Sequence, residues 1–121
     1  MLVLPIKKKW FEMIVSGEKK EEYREIKPYY DNRIGYAVAG ISFKHCHPYL
    51  IKKLENNQEF DVIFRNGYSY ESPSIWCTCT FRIGTGKEEW GAIPGQEYYI
   101  LQILKISEVL NYGRNHFEKL K

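Results

Sequence analysis

A chain of 121 residues with 44% hydrophobic and 27% charged side chains can bury one sizeable core, so residues 1–121 are expected to form a single domain. The formal net charge of +3 permits an acidic partner without the strong basicity of a dedicated nucleic-acid binder. No apolar run reaches the roughly 18 residues that a membrane-spanning helix needs, and the basic Lys7-Lys8-Lys9 follows its short apolar stretch, the wrong order for a secretory signal; a cytoplasmic protein without membrane contact is expected.

Leu2-Val3-Leu4-Pro5-Ile6 reads as a first strand. From Lys8 to Ser16 the apolar Trp10, Phe11, Ile14 and Val15 recur on one face of a helix, and Gly17, free to take positive φ, ends it. Glu21 to Ile26 is the second strand. Pro28 opens a short helical or turn segment over Tyr29 to Ile34, with Gly35 expected to close it. Tyr36 to Phe43 alternates loosely, as a strand or a buried loop would. His47-Pro48 starts a second helix, proline at its first position, with Leu50, Ile51 and Leu54 expected to face inward and Asn56-Asn57 to end it.

Phe60 to Arg65 is strand-like, and Asn66-Gly67 is a turn dipeptide between two β runs. Ser74 to Thr85 is the longest alternating stretch, with Ile75, Cys77, Cys79, Phe81 and Ile83 on one face. Gly84-Thr85-Gly86-Lys87 lacks the full spacing of a phosphate loop and reads as a β-turn. Glu97 to Val109 is apolar on both sides, as a strand covered on both faces is. Asn115 to Leu120 fits a short terminal helix. The expected fold class is α/β (α+β): a small mixed sheet of five or six strands curled into a barrel, with two or three helices outside it.

The chemistry concentrates where the first helix meets the second strand, in Gly17, Lys19, Glu22 and Arg24, spaced G-x-K-x-x-E-x-R. Glu22 and Arg24 are two apart and share one side of an extended chain. Lys19 sits in the turn, from which its long side chain could join them. Such a group is either a polar site for a planar hydrogen-bonding ligand or a surface ion pair, and the charge pattern alone leaves both open.

Through this motif, Ile6-Lys7, Trp10, Ile14, the Phe64-Arg65-Asn66-Gly67-Tyr68 stretch, Ser72-Pro73 and Gly91-Ala92-Ile93-Pro94-Gly95-Gln96 running into Tyr98-Tyr99-Ile100, the chain resembles an ASCH domain of the bacterial or phage type, a branch of the PUA-like superfamily. The resemblance implies a PUA-like β-barrel and a cleft lined by the motif residues. It also implies binding of RNA, a nucleotide or a nucleoside. Some small members are reported as hydrolases, including an amidohydrolase acting on 4-acetylcytidine and a ribonuclease; the amidohydrolase carries a threonine where this chain has Glu22.

For a nucleotide ligand, Lys7, Lys19, Arg24 and Arg65 suit phosphate, Tyr23, Tyr68 or Trp90 suits base stacking, and Glu22 suits an exocyclic amine. Those base edges are accessible in single strands and hidden in a duplex. The expected ligand-binding set is therefore Lys7, Lys19, Glu22, Arg24, Arg65 and Tyr68. In the alternative, a hydrolase, Lys19 and Glu22 are the catalytic candidates, with Arg24 steadying developing negative charge. An interaction module with a vestigial pocket is a third reading.

No metal or other cofactor is expected. His45-Cys46-His47 and Cys77-x-Cys79 lack the spacing of a structural zinc site, and the odd cysteine count argues for reduced thiols. Tyr29-Tyr30 and Tyr98-Tyr99 are expected mostly in the core, with Tyr30 nearest the cleft.

Overall fold

A computed structural model describes residues 1–112. Its framework is a five-stranded mixed sheet in the order β1-β3-β4-β5-β2, where β1 is Leu2–Pro5, β2 Glu21–Glu25, β3 Phe60–Arg65, β4 Ser74–Thr85 and β5 Glu97–Leu110. Only β1 and β3 run parallel; the other neighbours are antiparallel. Helices α1 (Lys8–Val15), α2 (Pro28–Ala39) and α3 (Pro48–Leu54) surround the curled sheet, an α+β half-barrel of the expected class. No helix among the described residues is long and apolar enough to cross a membrane.

The main core lies against one face of the sheet. Leu4, Val62, Phe64, Ile75, Cys77, Cys79, Phe81 and Leu101 are wholly buried there, joined by Phe11 and Ile14 of α1 and Ile34 and Val38 of α2. Each large aliphatic or aromatic side chain removed from water in this way contributes about 1.5–3 kcal/mol. A smaller cluster on the other face gathers Tyr23, Ala92, Tyr98 and Ile100 under the β4–β5 connection.

Strand β4 has the expected bounds and inward face. The β5 expectation holds only in its first half: Tyr98 to Leu101 are buried, but Leu104 and Val109 are exposed. The register slips twice against β4, so that Cys77 pairs Ile106 and Cys79 pairs Ile103. Each extra β5 residue twists the strand beyond the cover that its apolar composition suggests.

Further expectations are corrected. Helix α2 runs through Gly35 and ends at Gly40, so Tyr36–Ala39 are helical in place of the strand or buried loop expected over Tyr36 to Phe43, and Phe43 begins a 3-10 turn, Phe43–His45. Gly35 serves proximity: a Cβ there would lie 2.5 Å from the Phe43 amide nitrogen. Leu50 of α3 points outward at 44% exposure, while Ile51 and Leu54 touch the core. Asn66-Gly67 opens the longer connection 66–73 instead of closing a tight hairpin, and Gly84-Thr85 finish β4 instead of forming a turn. Tyr29 is exposed, against a core expectation that Tyr98 and Tyr99 meet. The terminal helix expected over Asn115 to Leu120 lies outside the described residues.

Candidate functional site

Helix α1 stops where Gly17 adopts φ +85°, and the Gly17 amide donates to the Ile14 carbonyl at 3.0 Å. The Lys19 amide then returns to the Met13 carbonyl at 2.9 Å, which turns the lysine side chain back under the helix before β2 begins. Within β2, Glu22 pairs with Leu101 and Arg24 with Tyr99 of β5, so both charged side chains lie on the main-core face.

The three groups meet. Lys19 Nζ lies 3.0 Å from Glu22 Oε1, and Arg24 Nη2 donates to Glu22 Oε2 at 2.7 Å. The chain is mostly buried: the side chains of Lys19, Glu22 and Arg24 are 0%, 9% and 10% exposed. The Lys19 ammonium also donates to the Trp90 carbonyl and sits 4.4 Å from the Trp10 ring centre. Desolvation pushes its pKa below the ordinary lysine value, against the pull of Glu22. For Arg24, burial works against the charge, but Glu22 and the Tyr30 hydroxyl outweigh it and the pKa is raised.

Arg24 reaches further. Nη2 donates to the Pro5 carbonyl at 2.7 Å and Nη1 to the Tyr30 hydroxyl at 3.4 Å, so Tyr30 does stand beside the charged group. Arg33 of α2 makes a parallel contact, donating to the Val3 carbonyl at 2.7 Å and to the Tyr29 hydroxyl at 3.2 Å. Two guanidinium groups therefore satisfy carbonyls of β1 on the side away from β3.

Open space adjoins these contacts. A hollow of about 510 Å³ is bounded by Pro5, Ile6, Lys7, Asn66 and Tyr68. Next to it, one of about 280 Å³ is bounded by Pro5, Tyr29, Arg33, Arg65 and Tyr68. The residues of the sequence-derived set thus divide into two layers. Lys19, Glu22 and Arg24 form a buried ionic chain, whereas Lys7, Arg65 and Tyr68 line the adjoining surface, with Pro5 as the link between them. Both Glu22 oxygens are engaged by the ion pairs.

Of the stacking candidates, Tyr68 is 99% exposed. Tyr23 is held in the second cluster, its hydroxyl donating to Glu21 and accepting from the Lys87 amide. Trp90 is half-buried beneath the Lys87 ammonium, 4.4 Å from its ring. Arg33, Tyr29 and the exposed Tyr70 were not in the set. Arg33 and Tyr29 are four apart on one helix face, a spacing already present in the expected helical segment over Tyr29 to Ile34.

Cys77 and Cys79 are buried in the core and Cys46 is half-buried, all with free thiols. Among the described residues, no group of three or more His, Cys, Asp or Glu side chains converges as metal ligands. No family model, curated protein or solved structure matches the chain.

Proposed function

We propose that the chain is an ASCH-type, PUA-like domain that binds RNA or a nucleotide at the surface formed by Lys7, Arg65 and Tyr68, held in shape by the Lys19–Glu22–Arg24 chain beneath it. The observation that carries this reading is that Arg24 grips Pro5, the residue that walls both hollows, at 2.7 Å. Cations suited to phosphate and an exposed phenol suited to a base then occupy one surface. The odd cysteine count favours reduced thiols, in keeping with a reducing compartment and an RNA partner there.

Titration of the protein with single-stranded RNA at rising salt tests the reading. Affinity should fall with salt, and Tyr68→Ala should weaken binding by about tenfold, within the range of one lost stacking contact. Binding that ignores both salt and Tyr68→Ala would defeat it.

The burial that lowers the Lys19 pKa favours a second reading, a small hydrolase of acetylated cytidine or RNA. In that case Lys19 would serve as base or nucleophile and Glu22 would manage the proton, after the Trp90 carbonyl is displaced. Turnover of 4-acetylcytidine that vanishes in Lys19→Met would support this second reading, and turnover that survives would remove Lys19 from it.

A further inference from the structure

Three hollows lie in succession beside β1. The two described above share Pro5, Gly67 and Tyr68 as a common wall. A third, of about 550 Å³, is bounded by Met1, Leu2, Tyr36, Phe60 and Asp61 and shares Arg33 with the second. Their walls follow the strand in order: Ile6 and Lys7, then Val3 and Pro5, then Met1 and Leu2. Shared wall residues join each hollow to the next, and the span from Met1 to Lys7 in extended backbone, about 20 Å, is long enough for the three to act as one groove.

Its chemistry repeats along that length. Lys7, Arg65 and Arg33 supply positive charge in turn, and Tyr68, Tyr29 and Tyr36 are exposed at 99%, 53% and 61%. Arg33 stands over the Tyr29 ring at 5.5 Å, which rigidifies that pair as a platform. Asp61, which accepts from the Thr78 hydroxyl at 3.3 Å, is the acidic wall residue, and it lies at the far end. A carboxylate there repels phosphate but accepts from an exocyclic amine.

Resting on the nucleotide-binding reading above, we propose that the Tyr36–Asp61 hollow is a further subsite of the same groove, so that the ligand is a single strand of about three to six nucleotides instead of a mononucleotide. The phosphates would follow Lys7, Arg65 and Arg33, and a terminal amine-bearing base would lie on Tyr36 facing Asp61. An acidic peptide matches the cations but offers nothing for the phenol faces.

The test is calorimetric titration with cytidine monophosphate, oligocytidylates of increasing length and a tetraglutamate peptide. The groove predicts that affinity rises at least about tenfold from the mononucleotide to the tetranucleotide. Tyr36→Ala should cost the tetranucleotide about tenfold, with an unaltered thermal melt showing that the fold is kept. Equal affinity at all lengths, indifference of the tetranucleotide to Tyr36→Ala, or equally tight binding of tetraglutamate would overturn the subsite; in the first two cases nucleotide binding itself would still stand. Failure of every nucleotide to bind would overturn both.

Discussion

Arg24 on β2 donates from Nη2 to the carbonyl of Pro5 on β1 at 2.7 Å, and so joins the two outermost strands of the sheet, which no backbone ladder joins. The same guanidinium holds Glu22, which in turn holds Lys19, so the closure of the half-barrel and the motif's charges are one construction. Arg24→Ala should therefore destabilise the protein by about 3 kcal/mol, as loss of a charge-assisted hydrogen bond within a mostly buried ion chain does. Amide exchange should quicken in β1 and β2 ahead of β4. Arg24→Lys should recover part of the loss, since a single ammonium cannot serve both partners in the geometry of a guanidinium fork. Uniform exchange across the sheet would show that the contact closes nothing.

Glu22 stands between two cations. Removing it leaves both without a counter-charge, so Glu22→Ala should cost about 3–5 kcal/mol in denaturant unfolding. Lys19→Met should cost less, because it also relieves the desolvation that depresses the Lys19 pKa. The reverse ranking would mean that the ammonium, and not the carboxylate, organises the group.

At Gly35 two effects oppose. Alanine favours a helix by about 1 kcal/mol over glycine. Its Cβ, however, would lie 2.5 Å from the Phe43 nitrogen and 2.6 Å from the Ile41 oxygen, both backbone atoms that cannot swing aside. Gly35→Ala is expected to destabilise by about 1–3 kcal/mol. A stabilised variant would show that the 41–43 segment yields freely.

The buried thiols give the protein an alkaline weakness. Burial raises the Cys77 pKa from its ordinary 9.0 to about 12, and burial raises that of Cys79 as well. Below the unfolded value both states keep the proton. Above it the unfolded chain ionises first, and stability falls by about 1.4 kcal/mol per pH unit per thiol until the folded group also ionises. Lys19 contributes the opposite slope up to its own ordinary value, so the comparison is best made against Cys77→Ala/Cys79→Ala. From about pH 8 to about pH 10 the parent should lose stability relative to the double variant; parallel curves would place the thiols in water.

Much of this was legible in the sequence where the residues concerned act locally. The period-2 run over Ser74 to Thr85 gave β4 its bounds, and the G-x-K-x-x-E-x-R spacing brought together the three charges that do meet. What local pattern could not show was depth. Nothing in the motif reports that Trp10, Tyr23 and the distant Trp90 carbonyl would enclose Lys19 and shift the open surface to Lys7, Arg65 and Tyr68. Gly35 misled for a related reason: in sequence it looks like a stop, but its role is set by a segment that folds back against it. Arg33 was missed for the same reason, since its contact with the Val3 carbonyl joins α2 to a strand some thirty residues away, which no local pattern shows.

The most direct test of the proposed binding surface is to follow backbone and side-chain NMR shifts while a short single-stranded RNA is added. The account predicts that the largest changes fall on Lys7, Arg65, Gly67 and Tyr68, with smaller ones relayed to Arg24 through Pro5, and that they shrink as salt is raised. Changes confined to the exposed half of β5, or no saturable change at all, would contradict it.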